Sequence, residues 1–320
     1  MQITKRRTHN IQFAKDIRQG FMAYPKSLSS KYFYDAEGSR IFQQIMELEE
    51  YYLTNCEFEI LNKHKAGILN ALPETFDLVE LGAGDGLKTK ILLSYFLAKK
   101  VDFSYMPIDI STDILKELSN SLQKDIPDLT VVPHHDDYFG ALQKMSTLTL
   151  KPKVVLFLGS NIGNFSVNQA EMFLKKLRAS LHKDDLLLLG ADLVKNPKTI
   201  LAAYNDAKGV TASFNYNLLQ RINEEFNANF DVSKFLHHPT YNPQTGETKS
   251  YLVSLEEQTV WIEDLSLEIY FKAWETIHTE VSQKFTIEQL EHLAIQTGFK
   301  IKSNFFDSKN YFIDALWQAV

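Results

Sequence analysis

Runs of consecutive apolar residues, separated by amphipathic stretches of ten or more, set the rhythm of the middle of this chain. Five runs read as strands: Phe76 to Leu81, Phe103 to Ile110, Leu129 to Pro133, Lys153 to Gly159 and Leu186 to Asp192. Between them, Lys88 to Lys99, Ser111 to Ile126, Phe139 to Leu148 and Val167 to Leu181 carry a helical period. Strands that are apolar throughout must be covered on both faces, and helices of this length supply the cover, so the pattern predicts a parallel α/β sheet. Ligands of such sheets bind beyond the carboxyl ends of the strands. The informative residues are therefore expected at strand ends.

Residues 1 to about 55 read as a helical prelude, with amphipathic segments at Asn10 to Phe21 and Arg40 to Leu48 and a dense set of aromatics. A helix from Asn55 to Asn70 leads into the first strand. The rhythm breaks after Asp192. A helix over Gly209 to Asn227 precedes a β-rich stretch with strands expected at Lys249 to Leu255, Val260 to Trp261, Leu267 to Phe271 and Thr276 to Ser282, and Asn242-Pro-Gln-Thr-Gly-Glu is a strong turn. An amphipathic helix, Thr286 to Thr297, and two strands, Phe299 to Phe306 and Tyr311 to Gln318, close the chain. These complete the sheet, so residues 194–284 read as an insertion that pairs with the N-terminal 55 to form a second domain.

Composition narrows the classes. The chain has 320 residues, 44% of them hydrophobic, which is enough for a large core. A net charge of -6 argues against a nucleic-acid surface, and short runs such as Lys5-Arg6-Arg7 and Lys99-Lys100 read as solvated faces. The single cysteine, Cys56, permits no internal disulfide and no cysteine metal cluster, which fits a reducing, cytoplasmic setting. No run approaches a membrane span, and the basic start lacks the apolar stretch of a signal peptide.

The first apolar strand runs into Gly82-Ala-Gly-Asp-Gly86, with Glu80 two places before the first glycine. Glycines at alternate positions allow positive φ and close approach of a ligand to the main chain. The spacing is neither the dinucleotide fingerprint nor a phosphate loop. The acidic variant is the pattern of S-adenosylmethionine (SAM) dependent methyltransferases, with another nucleotide ligand or a plain structural turn as alternatives. Asp109, ending the second strand, suits a ribose diol or, alternatively, a helix cap. Asp136-Asp137-Tyr138 sets a carboxylate beside an aromatic face, where an adenine amino group could sit, although a loop charge explains it equally. Gly159-Ser-Asn-Ile-Gly-Asn164 offers backbone approach and uncharged hydrogen-bonding groups, suited to an amine, carboxylate or amide.

Six stretches together carry a resemblance. Lys31-Tyr-Phe-Tyr-Asp-Ala-Glu-Gly-Ser-Arg-Ile-Phe42, Glu50-Tyr-Tyr-Leu-Thr54, Glu80-Leu-Gly-Ala-Gly-Asp-Gly-Leu-Lys-Thr89, Leu158-Gly-Ser-Asn-Ile-Gly-Asn164, Tyr204-Asn-Asp-Ala-Lys-Gly-Val-Thr-Ala-Ser-Phe-Asn215 and Thr279-Glu-Val-Ser-Gln-Lys-Phe285 occur in this order. The chain thereby resembles, over nearly its whole length, the histidine-specific Nα-methyltransferases that make hercynine for ergothioneine biosynthesis. The resemblance implies a class I, Rossmann-like methyltransferase sheet with an antiparallel last strand. It implies a SAM-binding domain from 56–193 and 285–320 and a substrate-binding α+β domain from 1–55 and 194–284. It places Tyr34, Gly82, Lys88, Asp109, Asp137 and Tyr138 on SAM, Asn164 and Tyr204 on the amino acid carboxylate, and Gly159 and Asn161 beside the α-amine. Tyr51, Glu280 and Ser282 fall around the imidazole, with Phe42 lining the pocket. No metal is implied, the partner is free L-histidine, and a monomer is expected.

Glu280 and Ser282 lie two apart on a strand and so on one face, where together they could hold both imidazole nitrogens. An indole would leave a buried carboxylate unpaired, at roughly 1 to 3 kcal/mol or more. Relatives of the family methylate other amino acids such as tryptophan derivatives, so methylation of another amino acid or small amine is the alternative, and a non-catalytic SAM-binding protein a further one. Asp85, Gly86, Asn161 and Ser250 depart from the residues common in the family, Ser250 standing where a larger apolar side chain is usual.

Overall fold

The computed structural model describes residues 11–109, 112–148 and 151–320. Lys5-Arg6-Arg7, Asn10, the last residue of the second expected strand (Ile110) and the first of the helix after it (Ser111) lie outside the described residues. The chain divides into two compact units. The larger comprises Leu53–Val194 and Gln283–Val320; the smaller comprises the described residues up to Tyr52 together with Lys195–Ser282.

The larger unit is built on a seven-stranded sheet. Its order is Phe299–Phe306, Phe312–Ala319, Leu186–Asp192, Lys153–Phe157, Thr75–Leu81, Asp102–Asp109, His134–His135. The inner pairs are parallel, and Phe312–Ala319 runs antiparallel to both its neighbours. Lys153–Phe157 and Leu186–Asp192 are buried at every position, as unbroken apolar runs require when helices cover both faces. Val79, Val155, Phe157, Leu187, Leu189 and Trp317 belong to one core with the helices Val167–Ala179 and Ile287–Gln296. Both helices open on a capping box, Ser166 with Gln169 and Thr286 with Gln289, which satisfies two of the backbone N–H groups left over at each start.

The third expected strand is corrected. Only a bridge from Val131 to Tyr105 stands in Leu129 to Pro133, and the ladder resumes at His134–His135. Two prolines, Pro127 and Pro133, flank the run and an edge strand needs few ladder bonds, so pairing is short. The fourth strand ends at Phe157 rather than Gly159, because Gly159 has φ 74° and Ser160 φ 56°, turning the chain off the sheet.

The smaller unit has a four-stranded sheet, Lys26–Ser27, Thr276–Gln283, Glu247–Ser254, Phe235–Asn242, and a two-stranded ribbon, Gln258–Ile262 with Leu267–Phe271. The helix Val210–Phe226 shares a core with residues of Ile11–Met22 and Ala36–Met46 that includes Phe13, Phe33, Ile41, Phe214, Leu218 and Phe271. The strand Phe235–Asn242 and the helix Pro197–Ala203 were not expected from the sequence. In that strand His237 and Pro239 occupy inward positions between Phe235 and Tyr241, which hides the alternation.

Candidate active site

Five of the residues expected on the donor, Gly82, Lys88, Asp109, Asp137 and Tyr138, lie in the larger unit, at or after the carboxyl ends of its strands; the sixth, Tyr34, lies in the smaller unit. Gly82 has φ 71°, and a Cβ there would lie 2.8 Å from the Tyr138 hydroxyl and 3.6 Å from Asn161 Nδ2. A Cβ on Gly84 would meet nothing within 4 Å, so the main chain is approachable from that side. Such a cradle, open at the glycines and walled by an aromatic ring and an amide, fits a nucleoside lying against the backbone. Burial, with Asp109 nearby, pushes the Tyr138 hydroxyl up to about 12, so it stays protonated and can donate. Asp137 is exposed, and one of its oxygens accepts from the N–H groups of Phe139 and Gly140, 3.0 Å each, capping the helix Tyr138–Leu148.

Glu80, two places before the first glycine, faces inward. It is buried, accepts from Thr89 Oγ1 at 2.5 Å and from the Tyr105 hydroxyl, and so ties the first strand to the helix after the glycine turn and to the neighbouring strand. Burial pushes its carboxyl up to about 7, against the lowering effect of those two hydrogen bonds and of Lys88.

Lys88 lies beside the glycine that follows the fourth strand: a Cβ on Gly159 would be 3.3 Å from its ammonium. Lys88 forms an ion pair with Glu57, and the other Glu57 oxygen accepts the Gly159 N–H at 2.7 Å. Glu57 is fully buried and is not singled out by the sequence. Its signal was a lone acid within the apolar stripe Leu53, Cys56, Ile60, Leu61 of the helix Tyr52–Asn70. A second buried carboxyl, Asp314, reaches the same side of Gly190 as Glu57 and has no hydrogen-bond partner among the described residues. Burial and the nearby Glu57 hold Asp314 well above the ordinary carboxyl range, while Lys88 pulls the other way. A proton on Asp314 leaves the trio electrically neutral, as burial in low dielectric favours. Asn161 begins, and exposed Asn164 ends, the short 3-10 turn Asn161–Asn164. Buried Ser160, at φ 56°, accepts the Asp192 N–H at 3.0 Å and so offsets the strain of its left-handed backbone.

The smaller unit brings together the other expected residues. Tyr34 meets Phe42 edge-on at 5.5 Å, Phe42 meets Tyr51 at 6.2 Å, and Phe214 lies 5.5 Å from Tyr34 and 5.7 Å from Phe42. Phe214 was not singled out in the sequence. Glu280 and Ser282 lie on the strand Thr276–Gln283, and each has a partner from another element. Ser250 Oγ donates to Glu280 at 3.0 Å, and the buried Tyr204 hydroxyl donates to Ser282 Oγ at 2.7 Å. Tyr204 thus joins the Glu280 and Ser282 group, a contact that its expected place on a carboxylate did not suggest. Among the described residues no cluster of His, Cys, Asp or Glu could hold a metal ion, and no helix is long and apolar enough to cross a membrane.

A mostly parallel sheet with an antiparallel strand Phe312–Ala319, a three-glycine turn after the strand Thr75–Leu81 and a carboxylate at the end of Asp102–Asp109 define a class I SAM-dependent methyltransferase. The chain belongs to the family of SAM-dependent histidine-specific methyltransferases, whose model matches residues 13–319. It is 36% identical over 286 residues to a histidine N-alpha-methyltransferase of Mycolicibacterium smegmatis, covering 89% of this chain and 88% of that one. A histidine N-alpha-methyltransferase of Mycobacterium tuberculosis is 35% identical over 276 residues, covering 86% and 85%. A more distant relative, an L-tryptophan methyltransferase of Psilocybe serbica, is 25% identical over 320 residues, covering 92% and 89%.

Proposed function

We propose that this enzyme methylates the α-nitrogen of L-histidine with SAM as donor, three times in succession, to give N,N,N-trimethylhistidine (hercynine). Family membership supports SAM-dependent methylation of histidine. The observation that carries the choice of acceptor is the pair on one strand, Glu280 braced by Ser250 and Ser282 braced by Tyr204. A fixed acceptor and a fixed hydroxyl at that spacing match the two nitrogens of an imidazole better than the single N–H of an indole.

SAM supplies a methyl group on a positively charged sulfur, which leaves as neutral S-adenosylhomocysteine when the amine lone pair forms the new N–C bond. The protein's part is to bind, to orient and to accept the deprotonated amine. A peptide α-amine has a reference pKa of about 7.7 to 8.0, and the carboxylate of a free amino acid raises it further, so the site must select the minor neutral amine near pH 8; it needs no strong general base to do so. Gly82, Lys88, Asp109, Asp137 and Tyr138, with Tyr34, are assigned to the donor. Gly159 and Asn161 are assigned to the amine and Asn164 and Tyr204 to the carboxylate, while Tyr51, Phe42, Glu280 and Ser282 surround the side chain. Alignment of this kind supplies roughly 7 to 11 kcal/mol of a barrier. The ring faces of Phe42 and Tyr34 can stabilise the growing ammonium by roughly 0.5 to 2 kcal/mol each. The first and second transfers each release a proton before the next; the third leaves a quaternary nitrogen with none to lose. Free histidine as sole partner and a monomeric enzyme complete the reading.

Incubation with SAM and each of the twenty amino acids, followed by mass spectrometry, tests it. Histidine should gain three methyl groups and the others none. A larger gain on tryptophan would overturn the choice of acceptor, and no gain on any of them would favour a SAM-binding protein without catalysis.

A further inference from the structure

Behind Glu280 lies a chain of buried polar groups that the reaction itself does not explain. Asn215, on the helix Val210–Phe226, donates through Nδ2 to the Thr211 carbonyl at 3.2 Å, which fixes its amide so that Oδ1 faces the sheet. Thr279 Oγ1 lies 2.7 Å from that oxygen and 3.0 Å from the Ser250 carbonyl. Ser250 ends the chain with its own hydroxyl on Glu280 Oε2. Asn215, Thr279 and Ser250 are buried, at 0%, 1% and 0% exposure. Three polar side chains taken out of water cost stability unless they are hydrogen-bonded, Thr279 has one proton to give to either of its two acceptors, and in a low-dielectric interior each bond made is strong and directional. Thr279 meets Ser250 at its backbone carbonyl and so ties down the main chain there, and the Ser250 hydroxyl on that main chain is a donor aimed at a carboxylate.

We propose that Ser250 is a positioning residue for acceptor recognition: its hydroxyl holds the Glu280 carboxylate in the orientation that receives a ring N–H, and so sets the preference for an azole side chain over an indole. The inference rests on the reading that Glu280 faces the acceptor's ring. With one oxygen engaged by Ser250, the carboxylate cannot rotate to follow a ring of different shape. Its charge is also stabilised without any help from the substrate. A larger apolar residue at position 250 could restrict the pocket by volume, but it could not orient the carboxylate.

Steady-state kinetics on the full-length enzyme, varying histidine, tryptophan and SAM separately, test the proposal. Ser250→Ala should raise the KM for histidine about tenfold, the loss of one hydrogen bond to a charged group. The KM for SAM and kcat should stay unchanged, and the ratio of histidine to tryptophan turnover should fall. Ser250→Thr, which keeps the hydroxyl, should restore the histidine KM. Ser250→Cys, close in size but a weak donor, should behave like the alanine variant, and covers the case in which Ser250→Ala fails to fold. An unchanged histidine KM in the alanine and cysteine variants, a threonine variant as poor as alanine, or joint losses in kcat and both KM values would overturn the proposal. Glu280→Gln is measured alongside. If it leaves the histidine KM unchanged, the reading of Glu280 fails; if it raises that KM and Ser250→Ala does not, only the role of Ser250 fails.

Discussion

Glu80 sits in the glycine turn's signature and yet points into the protein. Its carboxyl, at about 7, is above the ordinary glutamate value of 4.5 because burial disfavours the charge. Between those two values the folded state binds a proton that the unfolded chain has lost. Stability therefore falls as pH rises from about 4.5 to about 7, and the loss totals about 3 kcal/mol for a shift of this size. Glu80→Gln carries no charge and keeps one acceptor oxygen, with its NH2 left to donate to whichever of the Thr89 and Tyr105 hydroxyls that oxygen does not serve. Urea unfolding at a series of pH values should show the variant gaining on the parent from pH 5 to pH 8; parallel curves would show that Glu80 does not carry this slope. Glu57 and Asp314 are buried acids of a different kind, one paired with Lys88 and the other held well above the ordinary carboxyl range by burial and by Glu57.

At the scale of elements, the glycine turn is where backbone conformation and ligand meet. Gly82→Ala places a methyl group at positive φ and against the Tyr138 hydroxyl, at roughly 1 to 2 kcal/mol for the backbone alone. Calorimetric titration with S-adenosylhomocysteine should show affinity falling about tenfold, the equivalent of about 1.4 kcal/mol. Adding Tyr138→Phe should recover part of it; an unweakened Gly82→Ala would remove this turn from the donor site. The elements most legible in the sequence were those with one strong local signal. Leu186–Asp192 is apolar at nearly every position and needed no partner to be recognised, and the helix Ile287–Gln296 has its cap, its stripe and Gly298 as its stop. The edge strand near His134 and the strand Phe235–Asn242 were not legible, since their pairing is decided by distant neighbours. The same division holds in the site. Gly82 and Asp109 announce themselves by position, one just after a strand and the other at a strand's end, whereas Lys88 was implied only by the family resemblance. Ser250, Asn215 and Phe214 meet side chains far along the chain, Glu280, Thr279 and Tyr34, and a polar residue alternating on a strand looks the same whether it faces water or a carboxylate.

At the scale of the whole molecule, binding and stability are linked. A ligand that binds only the folded protein stabilises it by about 2.7 kcal/mol when present at a hundred times its Kd. S-adenosylhomocysteine should therefore raise the melting temperature measured by scanning calorimetry, and in the Gly82→Ala variant the curve of that rise against ligand concentration should shift to higher concentration. An equal rise at low ligand in both proteins would separate the stabilising site from the glycine turn.

The smaller unit is assembled from residues on both sides of the larger unit's first half: those up to Tyr52, and Lys195–Ser282. Phe13, Phe33 and Ile41 share a core with Phe214, Leu218 and Phe271. During synthesis the early group leaves the ribosome long before its partners exist. At about 5 to 20 residues per second, these apolar helices wait on the order of ten seconds or more for Val210–Phe226, and longer for the strands after it. A growing chain of this protein therefore carries an exposed greasy segment that no later speed of folding can shorten, and its yield in a cell will depend on what shields that segment in the interval.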